Sequence, residues 1–261
     1  MFKFRLTSKI RALTATFAGV YALLRVVPTF PMLGISGGAF TLADILPPIY
    51  GIILGPYLAS SAILVGTLLS FILGRPILFL GLDFLPGMVN AAIVGLLLNR
   101  SKHTTIVLYT VPLALFLVHP YTVNFIPVKV FGFRFTLFFA WMHLIALLLL
   151  VSPISSKAVK YVNRPEGMKT PLGLALISFI GTMGQHLMGN ILYENVIGVI
   201  QGTPISAFKP VWYAVFWLYP LERLTLITVT TLVGTPMLKL AKNHLDAYLQ
   251  KLNIQTENKI T

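Results

Sequence analysis

A polar stripe runs through one of the most apolar parts of this 261-residue chain. Thr182, His186, Asn190 and Glu194 recur every four residues, a spacing that stacks side chains along one face of a helix. Facing lipid, such groups would find no hydrogen-bond partner, so the stripe should look into protein or a wet cavity. Donors and acceptors in a row suit the capture of a polar solute. They equally suit a structural network tying this helix to Arg223 or Asp44. A metal centre is disfavoured, because the face carries one histidine and one carboxylate, and His119 and His143 read better as packing or interface residues than as ligands.

The acids sort in a telling way once the chain is laid across a membrane. Asp44, Asp83, Glu194 and Glu222 fall towards the outer half, and Glu166, Asp246 and Glu257 towards the cytoplasm. Ionisable groups inside a bundle are costly and tend to mark substrate or ion pathways. Plainer roles compete: Thr41 and Asp44 fit a capping box, and Asp83 is placed to cap a helix starting at Phe84. Glu222 and Arg223 are sequence neighbours and should not face each other on a helix, so each needs another partner. The expectation is a small solute held in the outer half, beneath the Pro28 to Phe40 loop. Asp44, His186, Asn190 and Glu194 would supply polar contacts, with Arg75 or Arg223 as charge partners.

Other chemistry is missing from the sequence. No cysteine occurs, which excludes disulfides and thiolate chemistry. There is no Gly-Lys dipeptide and so no phosphate loop, no HExxH, and no GxSxG elbow. No catalytic residue, cofactor or metal is expected.

The elements that must hold these side chains are membrane spans. The chain is 56% hydrophobic and 10% charged, with a mean hydropathy of +0.84. That composition describes an all-α integral membrane protein, a polytopic bundle of six to eight helices forming one domain over residues 1–261. Apolar runs read as spans at roughly Ser8 to Val27, Ile45 to Leu54, Tyr57 to Leu73, Phe84 to Leu98, Ile106 to Val118, Thr136 to Val151, Leu172 to Leu192 and Leu221 to Leu240. His119 to Phe135 and Ser152 to Thr170 read as loops, the second basic and without apolar periodicity. Residues 1–11 form a basic interfacial anchor that continues into an uncleaved first span. Residues 241–261 form a cytoplasmic surface tail, with Leu245, Tyr248, Leu249 and Leu252 at helical spacing.

A formal charge of +13 does not point to nucleic acid, because the basic residues lie in short segments between spans. With both termini inside, 14 of the 20 Lys and Arg residues are cytoplasmic; the rest are Arg25, Arg75, Lys129, Arg134, Lys209 and Arg223. This asymmetry supports cytoplasmic termini, and the expected location is the plasma membrane, as a multi-pass protein.

The run Ser36 to Tyr57, SGGAFTLADILPPIYGIILGPY, organises the rest. Ile45 to Leu54 gives only about 15 Å of helix against a hydrocarbon core of about 30 Å. The segment must therefore enter through non-helical backbone or a helix broken at Pro47-Pro48, and Gly55-Pro56 marks where one helix ends and the next begins. Irregular backbone at that depth needs a covering of protein or a wet cavity. In the first span, the pairs Ala15 with Gly19 and Ala18 with Ala22 let another helix approach closely, either within the bundle or from a partner.

The run FTLADILPPIYGIILGPYLASSAILVGTLLSFILG resembles the second and third helices of the substrate-binding S components of energy-coupling-factor transporters. FLPGMVNAAIVGLLLNR is similar to their fourth helix, and the Ala18 and Ala22 spacing to the alanine motif of their first. GTMGQHLMGN and ERLTLITVTTLVGTPMLK resemble their last two helices more loosely. The likeness covers Arg11 to Arg100 clearly and Leu172 to Lys239 less closely. It implies a helical bundle, usually of six helices, that captures a vitamin or similar micronutrient near the extracellular side. It also implies a transmembrane coupling subunit and two ATPase subunits as partners, with docking on the face of Ala15, Ala18, Gly19 and Ala22. Residues 106–151 have no place in the six-helix pattern, and Phe2 stands where nickel and cobalt members carry histidine. A stand-alone secondary transporter and a membrane-embedded transferase or structural subunit are the alternatives.

Overall fold

The computed structural model describes residues 8–130 and 132–257, with side chains as far as Leu240 apart from Lys9 and Val130. Residues 1–7 of the expected anchor and the side chains of the expected surface tail lie outside it. In chain order the elements are α1 (Ser8–Arg25), β1 (Pro28–Pro31), β2 (Ala39–Thr41), a 3-10 turn (Leu42–Ile45), α2 (Leu46–Ile72), α3 (Leu85–Leu98) and α4 (Lys102–Val118). Then follow β3 (Phe125–Val130), β4 (Phe133–Phe138), α5 (Trp141–Val151), α6 (Pro153–Asn163), α7 (Lys169–Tyr193), a π-helical turn (Glu194–Ile200) and α8 (Ile205–Glu257).

Most of the chain is helical. Leu42–Ile72 and Lys169–Ile200 are long and apolar enough to cross a membrane, and α5 with α6, bent by 74° at Ser152, adds a third if it is one broken span. Large apolar side chains such as Leu23, Ile72, Leu148 and Leu232 are exposed on different helices, as lipid contact requires.

The expectation of an all-α fold is corrected by two antiparallel hairpins, β1 with β2 and β3 with β4. Both fall in stretches read as loops, and β4 takes residues 136–138 from the expected span at Thr136. Ser152 to Thr170 is also not a plain loop. Ser155, Ala158, Val159 and Val162 are the buried residues of α6, and their spacing of three and four is an apolar periodicity. Ser152 caps that helix by accepting from the Ile154 N–H.

The region read as organising the fold enters as expected, through extended backbone and a 3-10 turn, with Pro47 and Pro48 in the first turn of α2. The break lies at Gly55, whose φ of 74° and ψ of 176° favour glycine. From Leu46 to Leu54 the helix descends only about 14 Å. Both halves then pack along α3. A methyl built on Gly87 stands 3.2 Å from Ile63 and 3.7 Å from Pro47, while one on Gly95 stands 2.5 Å from the Pro56 nitrogen. Residues 47 and 63 thus share one level of α3, with the break near its other end, so the chain doubles back at Gly55.

The close approach of α3 to α7 has a similar origin. A methyl on Gly181 would collide with Asn90, and one on Gly184 with Ile93. This seam sets the polar network described next.

Candidate functional site

Where α1 ends, α2 begins and α7 passes, the bundle opens into a cavity of about 110 Å³. The β1–β2 hairpin forms one wall through Met32, Leu33, Ile35, Ala39 and Phe40. Of the six residues expected to hold a solute, Asp44, Arg75, His186, Asn190 and Arg223 line this space. Glu194 does not.

Asp44 forms the expected capping box and also lines the cavity. Its Oδ2 accepts from the Thr41 N–H at 2.7 Å and the Thr41 hydroxyl at 3.2 Å, which fixes the entry turn. Its Oδ1 accepts from Gln185 Nε2 at 2.8 Å, and Gln185 Oε1 accepts from Asn90 Nδ2 at 2.7 Å. One chain of bonds therefore links the turn before α2 to α7 and α3, and each member is buried. Gln185 is a cavity residue that the four-residue stripe omits. Stepping by three as well as four from Thr182 reaches Gln185, Gly189 and Tyr193, all lining residues, because a helix turns every 3.6 residues. A methyl on Gly189 meets nothing within 4 Å, so α7 is cut away there and the cavity gains its depth.

His186 is held from behind. Its Nδ1 lies 3.1 Å from His143 Nε2, the two rings stack with centroids 5.1 Å apart, and Tyr219 stacks on His186 at 5.0 Å. The Tyr219 hydroxyl donates to the Phe139 carbonyl at 2.9 Å. His143 is thus packing, as expected, but packing that orients a cavity residue. Sequence could not reveal this, since the two histidines are 43 residues apart.

Arginines converge from three elements. Arg25 ends α1 and lies 3.9 Å from Asp83. Arg75, in the turn after α2, donates to the Ala39 carbonyl of β2 and so ties the hairpin to the bundle. Burial, and secondarily the neighbouring Arg25 charge, lower the Arg75 pKa from its ordinary value. Arg223, 1% exposed, lies over the Phe40 ring at 4.5 Å and meets Glu222 at 3.4 Å. That last contact corrects the expectation that these two neighbours cannot pair: both long side chains bend to the same point inside the bundle. Asp83 is likewise not a cap for α3. Its carboxylate accepts from the Leu78 and Phe79 N–H groups, both at 3.1 Å, and pins the loop before the helix.

Glu194 leaves the stripe because α7 changes to a π-helical turn at that residue. The wider turn rotates it away, and its Oε1 accepts from the Thr122 hydroxyl at 2.5 Å while its Oε2 lies 3.4 Å from His119. Thr182 is buried without lining the cavity.

The expected docking face splits. Ala18 and Ala22 are 2% and 3% exposed, and a methyl on Gly66 of α2 would stand 2.7 Å from the Ala18 carbonyl. This pair is occupied by the protein's own helix. Ala15 is exposed and Gly19 half-exposed, with open space above its Cα. Among the described residues, no three His, Asp or Glu side chains are grouped to hold a metal ion.

No protein-family model, no curated protein and no solved structure matches this chain.

Proposed function

We propose that the chain is a membrane-embedded solute-capture protein, the S component of an energy-coupling-factor type of transporter. It takes up a vitamin-like or similarly small micronutrient from outside. It is a multi-pass protein of the plasma membrane with six to eight spans and cytoplasmic termini. A transmembrane coupling subunit and two ATPase subunits supply the energy.

One observation carries this reading: a walled cavity whose polar groups come from α1, the 3-10 turn before α2, the loop after α2, α7 and α8, and whose cover is a hairpin tied down by Arg75. Convergent polar groups in a largely apolar pocket are the usual form of a small-molecule site. The resemblance of Arg11 to Arg100 to S components supports the energy source.

Native mass spectrometry of the purified chain should find a co-purified small molecule, and the variant Gly189→Trp should lose it while remaining folded. A chain that carries no solute and binds none from a metabolite extract would end the capture reading. For topology, cysteines at the exposed positions Ser36 and Ser156 should label from opposite sides with an impermeant thiol reagent; labelling of Ser156 from outside would invert the map.

Partner docking moves to the outward residues of α1. Ala15→Trp and Gly19→Trp should keep solute binding and lose ATP-driven uptake with a coupling module. Uptake by vesicles holding this chain alone would replace the S-component reading with secondary transport.

A further inference from the structure

The cavity has unspent hydrogen-bonding capacity of one kind, and that kind identifies the solute's charge. Three arginines and three carboxylates line it, so net charge alone decides nothing. Two of the carboxylates are engaged on both oxygens and the third on one. Asp44 accepts three bonds across both oxygens, Asp83 accepts one backbone N–H on each oxygen, and Glu222 meets Arg223. The donors are matched only in part: Arg75 donates to the Ala39 carbonyl, Arg223 meets Glu222, and Arg25 hydrogen-bonds Tyr21. Arg25 has its carboxylate only at 3.9 Å, beyond hydrogen-bond reach. The Nε of Arg25, of Arg75 and of Arg223 is buried without a protein acceptor, and so is Nδ2 of Asn190. Each guanidinium carries five N–H groups and no acceptor, so the polar groups left over in this wall are donors.

We propose that the solute is an organic anion whose carboxylate is received by Arg25, Arg75 and Arg223, with Asn190 as a neutral donor. The inference rests on the capture reading above. Planar guanidinium groups suit carboxylate oxygens because two parallel N–H bonds can form at once. Phe79, Val211, Trp212 and Leu218 also line the cavity and give the solute's body an apolar and aromatic surface. A cationic solute would have to take Asp44 or Asp83 from N–H donors they already hold, or Glu222 from Arg223, stranding buried donors in each case.

Trp212 lines the cavity and reports on it. The full chain carrying Trp141→Phe and Trp217→Phe leaves Trp212 as its one tryptophan, and its fluorescence can be titrated in detergent with benzoate and with benzamide. These probes share shape and differ in charge. We expect saturable binding of benzoate, about tenfold or more tighter than benzamide, as charge-assisted bonds predict. Arg75→Gln, at a half-buried position, should remove most of that preference. If benzamide binds as tightly as benzoate, the anion inference is overturned while the cavity remains a site. If neither probe binds and no solute co-purifies, both the inference and the capture reading fall.

Discussion

The glycine seam between α2 and α3 and the cavity face of α7 use the same residue for opposite ends. At Gly51 and Gly95 a methyl would meet backbone atoms 2.5 Å away, so glycine there brings two helices into contact. At Gly189 a methyl meets nothing within 4 Å, so glycine there keeps a space open. The seam sets α2 against α3, and the α3–α7 contact at Gly181 then brings Gln185 between Asn90 and Asp44; the cavity face supplies the room. One region is a device for packing and the other for vacancy, and substitution should separate them.

The largest effect is expected at the seam. Gly95→Val places branched carbons against the Pro56 backbone, which cannot give way as a flexible side chain would. Overpacking of this kind costs about 3 kcal/mol, and the purified protein should show a clearly lower melting temperature or fail to accumulate. A variant of wild-type stability would break the comparison at its base.

Next comes the polar link between the two regions. Asp44→Ala removes the acceptor of Thr41 and Gln185 together, leaving buried donors unpaired, and should destabilise by about 2–4 kcal/mol. Asp44→Asn keeps an acceptor oxygen and should cost about half as much. Thermal unfolding of both variants in one detergent measures the ratio.

The cavity face should respond without loss of stability. Gly189→Phe fills the open space and replaces a poor helix former, so stability should hold or rise by up to about 1 kcal/mol, while solute affinity falls about tenfold or more. Binding and melting measured on the same sample would show both. A melting temperature reduced as far as in Gly95→Val would mean that Gly189 belongs to the packing class.

The smallest effect is expected at Glu194. Glu194→Gln keeps an acceptor for Thr122 and touches no part of the cavity wall, so solute affinity should stay within about twofold. A large loss would return Glu194 to the site.

Some of this was legible in the residues alone. Ile45 to Leu54 is too short to span a bilayer, which required irregular entry and a covered space beside it. The polar stripe on α7 had to face inward, because lipid offers no hydrogen bonds, and five of the six expected site residues do line one cavity. These conclusions depend on length, periodicity and solvent chemistry, all of which are local. The three-dimensional packing decided the rest. Gln185 enters the site because α3 approaches at Gly181 and Gly184, and Glu194 leaves it because the helix widens by one backbone bond at that point. Ala18 packs against α2 and Ala22 is buried, and Glu222 meets Arg223 because both are enclosed together. A small residue or a charge states what it can tolerate; which neighbour arrives is set by the distance between helices far apart in the chain.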